Sequence, residues 1–268
     1  MRTCMPALLV LGAVFGLTAC DVAGAQVKGT GKVTTDRRKV GAFSSVHVSG
    51  SMDAEVTIAR TTSVEVIGDD NVVPLIRTEV RGGQLVVDSR DSYSTRSPLV
   101  VRITTPTLAA FSSSGSGDAA VRGVTGDRLD LQVSGSGSID VAGRTKQLTA
   151  EVSGSGEIHA RRLAATTARA IVSGSGEVEL TVSDTLDAVV SGSGSIDYWG
   201  NPTVKRTVSG SGSIAGALTR ATATTRGQVT RIMFSWRQRM LPSGSWNHAH
   251  RCPSISAMCP SVCSPGRS

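Results

Sequence analysis

The second half of the chain alternates apolar and polar residues with a period of two, broken at regular intervals by the same four residues. Leu129, Leu131, Val133, Gly135, Gly137, Ile139 and Val141 share one parity, while Asp130, Gln132, Ser134, Ser136, Ser138 and Asp140 share the other. Successive side chains on a strand point to opposite faces, so this alternation predicts a strand with one buried face. The same registration returns at Leu148, Ala150, Val152, Gly154, Gly156, Ile158 and Ala160, and again from Leu186 to Tyr198. The interrupting tetrapeptide Ser-Gly-Ser-Gly begins at Ser114, Ser134, Ser153, Ser173, Ser191 and Ser209, at intervals of 20, 19, 20, 18 and 18 residues. A fixed period in this range marks a repeat architecture.

At about 3.3 Å per residue, a unit of about 19 residues has a contour of roughly 60 Å, which suits one coil of a solenoid better than one barrel strand. The expected fold is therefore all-β: a parallel β-solenoid, or β-helix-like domain, with about 19-residue repeats. Stacking coils about 4.8 Å apart would collect the apolar parity inside and set the serines in outward hydroxyl ladders. The ladder of Ser136, Ser155, Ser175, Ser193 and Ser211 is the candidate binding surface. Glycine at two inward positions per coil suits a bend or an approach to the opposite wall, where a Cβ would clash. A disordered Ser/Gly linker would lack the Val, Ile and Leu that flank every copy.

The stretch 40–87 has the same β character with looser repetition. Val46, Val48, Met52, Ala54, Val56 and Ile58 share a parity, and Ser49-Gly50-Ser51 is a half-copy of the later motif. These residues read as entrance coils, with Gly68-Asp69-Asp70-Asn71 as a polar turn. The run from Arg38 to Gly50, that turn and the repeated Val-Ser-Gly-Ser-Gly resemble the bacterial domain family called putative auto-transporter adhesin, head GIN domain. The resemblance covers about residues 38 to 216. It implies an exported β-helical domain of bacterial envelopes with no established catalytic activity.

Charge changes the picture only once it is located. The whole chain carries +7, but residues 1–219 hold 21 basic and 21 acidic side chains, and no acid follows Asp197. The excess belongs to the C-terminal tail, so no nucleic-acid partner is expected for the domain. Aromatics make up 3% of the chain, and the core must come from small aliphatic residues. At the other end, Ala7 to Leu17 form an apolar stretch too short to span a membrane comfortably. It leads into Leu17-Thr18-Ala19-Cys20, which resembles a bacterial lipobox. Residues 1–19 thus read as a lipoprotein signal peptide, Cys20 as the lipidation site, and 20–39 as a lipidated tether. The expected location is the cell envelope, lipid-anchored, with the inner and outer membranes both open. Residues 40–216 form the solenoid, and 217–268 a basic, unstructured tail whose composition fits an out-of-frame extension.

The chemistry is sparse. His47 and His159 occupy outward parity, and the serines have no Gly-x-Ser-x-Gly elbow. A calcium ladder needs a regular acid in every coil, whereas the place of Asp140 is taken in later coils by His159, Glu179, Asp197 and Ala215. Asp69 and Asp70 read as a solvated turn. The tail cysteines Cys252, Cys259 and Cys263 have no zinc spacing. No metal, cofactor or catalytic residue is assigned. The chain reads as a non-catalytic envelope protein used for attachment or scaffolding, with a glycan or protein ligand. The alternative is a β-helix enzyme acting on polysaccharide, for which Tyr198-Trp199 is the only aromatic pair in the repeats.

Overall fold

The structure, a computed structural model, describes residues 26–217. The signal peptide, Cys20 and the tail beyond residue 217 lie outside the described residues. Within them the protein is almost entirely strand, with one 3₁₀ turn at Val73–Leu75.

Stacked parallel coils form the expected β-solenoid, of about five turns. The strand Ser138–Gly154 lies between Ala119–Gly135 and Glu157–Gly174 and pairs in parallel with both. The register places equivalent repeat positions on top of one another: Ser134 pairs with Ser153, Ser153 with Ser173, Ser173 with Ser191, and Ser191 with Ser209. Each coil has three sides. In the coil containing Ser134 they are 129–135 (first), 138–142 (second) and 143–147 (third). The inward Val, Ile, Leu and Ala of the regular coils are buried, as the alternation predicted, while the first glycine of each corner stays partly exposed. Val133, Val152, Val172 and Val190 form one fully buried column against Ile139, Ile158, Val178 and Ile196.

Ser-Gly-Ser-Gly is the corner between the first and second sides. There the coil turns sharply, and its backbone stays bonded to the coil beneath: Ser155 N–H donates to Gly135 O at 3.0 Å and Glu157 N–H to Gly137 O at 3.1 Å. A Cβ on Gly154 would stand 2.7 Å from Gly135 O. The obstacle is therefore the neighbouring coil and not the opposite wall, because the corner glycines stack directly on one another. The unequal repeat lengths are also explained. Irregular pairing at Arg122/Val124, Asp140/Ala142 and Ala160/Ala164 absorbs extra residues as bulges while the corners stay aligned. The largest bulge inserts Arg161-Arg162-Leu163, with Leu163 turned into the core.

The N-terminal end is closed differently. Strand Val33–Arg38 pairs antiparallel with Ser63–Asp69, which pairs antiparallel with Val100–Thr105; Ile76–Arg81 and Gln84–Ser89 form a hairpin on the first side. The expected tether is thus corrected over residues 27–38, which build two strands, Val27–Lys28 and Val33–Arg38. The reason is Asp69, which is buried and not the solvated turn residue expected. Its carboxylate accepts hydrogen bonds from Gly31 N–H at 3.1 Å and Arg96 N–H at 2.8 Å, clipping the incoming chain to the cap.

These backbone donors, Arg96 first, hold the Asp69 carboxyl below its ordinary pKa of 3.8 against the opposing effect of burial. A depressed acid contributes stability that is fully present above about 3.8 and is lost as the pH falls through its lower folded-state value. Asp69→Asn should therefore lower the urea midpoint at pH 6 and lose less than wild type between pH 6 and pH 3. Equal pH sensitivity in both proteins would refute the clip.

At the far end the last strand of the first side, Thr203–Gly210, has one paired edge, and Val208 is 47% exposed. The inward column Leu131, Ala150, Ala170, Ala188 ends in Arg206. Its guanidinium lies over the Tyr198 ring, 5.6 Å from the centroid, and donates to the Tyr198 hydroxyl. An arginine stem covers the end of the apolar column while its head reaches water.

Candidate functional site

Three exterior features could meet a ligand, and each follows from stacking. The first is the hydroxyl ladder. Ser136, Ser155, Ser175, Ser193 and Ser211 are all exposed at the Ser-Gly-Ser-Gly corner. The backbone N–H groups of the first four bond to the coil below, which fixes the spacing of the hydroxyls at about one strand separation, roughly 4.8 Å.

The second is a charged column on the second side. Near the N-terminal end it alternates in sign: Arg37, Glu65, Arg102 and Glu55 are successive partners, with Arg37–Glu65 at 2.9 Å and Arg102–Glu55 at 3.0 Å. Further up it turns acidic, through Asp140, His159, Glu179 and Asp197. His159 joins two carboxylates, with Nε2 3.1 Å from Glu157 and Nδ1 3.2 Å from Glu179. His47, by contrast, meets the Ser112 hydroxyl at 2.8 Å. Among the described residues no three His, Cys, Asp or Glu side chains are grouped to hold a metal ion.

Burial, and then the charges of Asp197, Glu179 and Glu157, push the Glu177 carboxyl above its ordinary pKa of 4.5. A raised acid opposes folding when ionised, so Glu177→Gln should raise the melting temperature at pH 7. The gain should shrink as the pH falls below the raised value, where wild type is protonated too. A pH-independent difference would show that its cause is not this charge.

The third feature occupies the third side. A groove of about 710 Å³ runs along the solenoid axis, from Thr125 and Gly126 at one end to Gly200 and Asn201 at the other. Pairing places Thr125, Arg144, Ala164, Thr181 and Trp199 in one column, and four strand steps make it roughly 19 Å long. Small residues, Gly126, Ala164 and Ala165, keep it open. At its upper end the bulge pays its way structurally: Arg161 lies over Trp199 at 4.5 Å from the ring centroid, while Arg162 pairs with Asp140 on the second side. Thr181 Oγ1 donates to Arg161 O at 2.8 Å and holds the bulge in place. Both rings of the aromatic pair Tyr198-Trp199 carry an arginine. Those arginines lie 8 and 38 residues away along the chain, and no local pattern connects them.

The fold and its exterior define a class: a parallel β-solenoid with an extended polar surface. The chain belongs to the family described as putative auto-transporter adhesin, head GIN domain, which matches residues 42–202. It is similar to a putative adhesin from Bacteroides fragilis, with 25% identity over 71% of this chain and 100% of that one, at a TM-score of 0.61. A putative lipid binding protein from Parabacteroides distasonis is 24% identical over 72% of this chain and 99% of that one, at a TM-score of 0.47. No curated protein matches the chain.

Proposed function

We propose that this protein is a non-catalytic attachment protein of the bacterial cell envelope, held at a membrane by a lipid on Cys20 and binding through the exterior of its solenoid. The observation that supports this most is the exposed hydroxyl ladder, which repeats one polar group at one spacing over five coils. A repeated array suits an extended surface ligand, a glycan or a protein, because each further coil adds an equivalent contact. The family's description as an adhesin points the same way. Among the described residues no helix is long and apolar enough to cross a membrane, and the lipid supplies the attachment in this reading.

The test is a deletion strain complemented with wild type, with Cys20→Ala, or with Ser→Ala at all five ladder positions. Wild type should restore surface attachment, Cys20→Ala should release the protein from membranes, and the ladder variant should attach poorly while folding normally. Full attachment by the folded ladder variant would remove the ladder from the reading.

One observation favours the enzyme alternative. Glu177, held toward its protonated form, stands near Glu179 and Asp197 on the second side, and glycoside cleavage uses such a pair of unlike carboxyls. New reducing ends after incubation with a glycan panel would replace attachment with catalysis.

A further inference from the structure

The groove on the third side has a more specific chemistry than the ladder. We propose that it binds an anionic polysaccharide, a chain of sugars bearing carboxylates, with Arg144 and Arg161 as its acid-recognising residues. This rests on the attachment reading and names the ligand class for a second surface.

Charge comes first. Lys146 is paired with Asp127 at 2.8 Å, and Arg162 with Asp140. Arg144 and Arg161 have no carboxylate partner among the described residues, although Arg144 lines the groove and Arg161 stands at its upper end. The groove therefore carries an uncompensated positive charge at Arg144 on its column, and the bulge adds a second, Arg161, at its upper end. Stacking on Trp199 fixes the plane of the Arg161 guanidinium, and a fixed plane suits bidentate binding of a carboxylate.

The lining then separates a sugar chain from an acidic peptide. The backbones along the third side are engaged in the coil-to-coil ladder, so an extended peptide would find no free strand edge to pair with. The available groups are side chains. Thr125, Thr166 and Asn201 line the groove and can bond sugar hydroxyls, while the exposed Ala164 offers an apolar floor to sugar C–H faces. The acidic column on the second side, ending in Glu179 and Asp197, would repel such a ligand around the corner and confine it to the groove.

The test is calorimetric titration of the full-length chain with polygalacturonate, dextran and poly-glutamate. Polygalacturonate should bind, more weakly as salt rises, and dextran should not. Arg144→Gln and Arg161→Gln, both exposed positions, should each weaken binding about ten- to a hundred-fold, the loss expected for a hydrogen-bonded charge. Arg161→Lys should recover only part of it, since an ammonium cannot present the stacked plane. Circular dichroism should be unchanged in all three variants. Equal binding of poly-glutamate, binding of dextran, or wild-type affinity in Arg144→Gln and Arg161→Gln would each overturn the proposal. The deletion strain distinguishes the two readings. Attachment that needs the protein but survives both substitutions refutes the groove alone, and polygalacturonate binding by a protein whose deletion leaves attachment intact refutes attachment alone.

Discussion

Gly174→Ala should unfold the solenoid far more readily than alanine at an ordinary positive-φ glycine. Gly174 has φ +124 and sits directly on Gly154, so an added Cβ would meet the Gly154 carbonyl oxygen. That obstacle is backbone held in the ladder and has no rotamer with which to yield. Two other glycines separate the contributions. Gly82, at φ +57, has nothing within 4 Å of its Cβ position, so Gly82→Ala reports backbone strain alone. Gly176 lacks a positive φ, yet its Cβ would meet Gly156 O and the Val152 side chain, so Gly176→Ala reports collision alone. Strain in the left-handed region costs about 1–2 kcal/mol, and forcing atoms into a packed interior about 1–3 kcal/mol. Gly174→Ala combines both and should lose roughly 2–5 kcal/mol. Urea midpoints of the three variants check the order. If Gly174→Ala is no worse than Gly82→Ala, the corner glycines are there for conformation and not for stacking.

The second large effect is expected at Phe111, the largest fully buried side chain among the described residues. It stands on Val46 and under Leu131 in a column that narrows above to Ala150, Ala170 and Ala188. The bulk is concentrated where the irregular cap meets the regular coils, and Phe111 joins the two. Phe111→Ala should cost about 3–5 kcal/mol, a fall in melting temperature of roughly 2–4 °C per kcal/mol for a domain of this size. Phe111→Leu should keep most of the volume and cost less than about 1.5 kcal/mol. Because coils contact only their neighbours, the loss should appear first as hydrogen exchange at the cap, in strands Ser45–Gly50 and Gln84–Ser89. Uniform exchange along the whole stack would mean that Phe111 does not hold this junction.

Much of the fold was legible in the chain, and the limits of that legibility have a pattern. The inward set around Val133, Val152 and Val172 was readable because strand alternation is local. The cap was misread because its signals are not local. Asp69 looks like any acid in a Gly-Asp-Asp-Asn turn, and only the return of residues 29–31 and 96 around it turns the carboxylate into a buried clip. The charged column was half visible, since Asp140, His159, Glu179 and Asp197 occupy one repeat position. Glu157 and Glu177, two residues earlier, acquire their meaning only when stacking brings the carboxyls together.

What the amino-acid order alone settles here is the class of fold and the register, because a period of two and a repeat of about 19 residues leave parallel coils as the arrangement that buries the apolar parity of each repeat. The tertiary structure decides which exterior side chains become neighbours. Bulges of one to three residues slip the second and third sides against the motif, and that slip carries Arg161 to Trp199 and Arg162 to Asp140. A bulge leaves little trace in the alternation, since residues outside the ladder obey no period. The groove with its unpaired arginines is therefore a property of the stack and of no single coil.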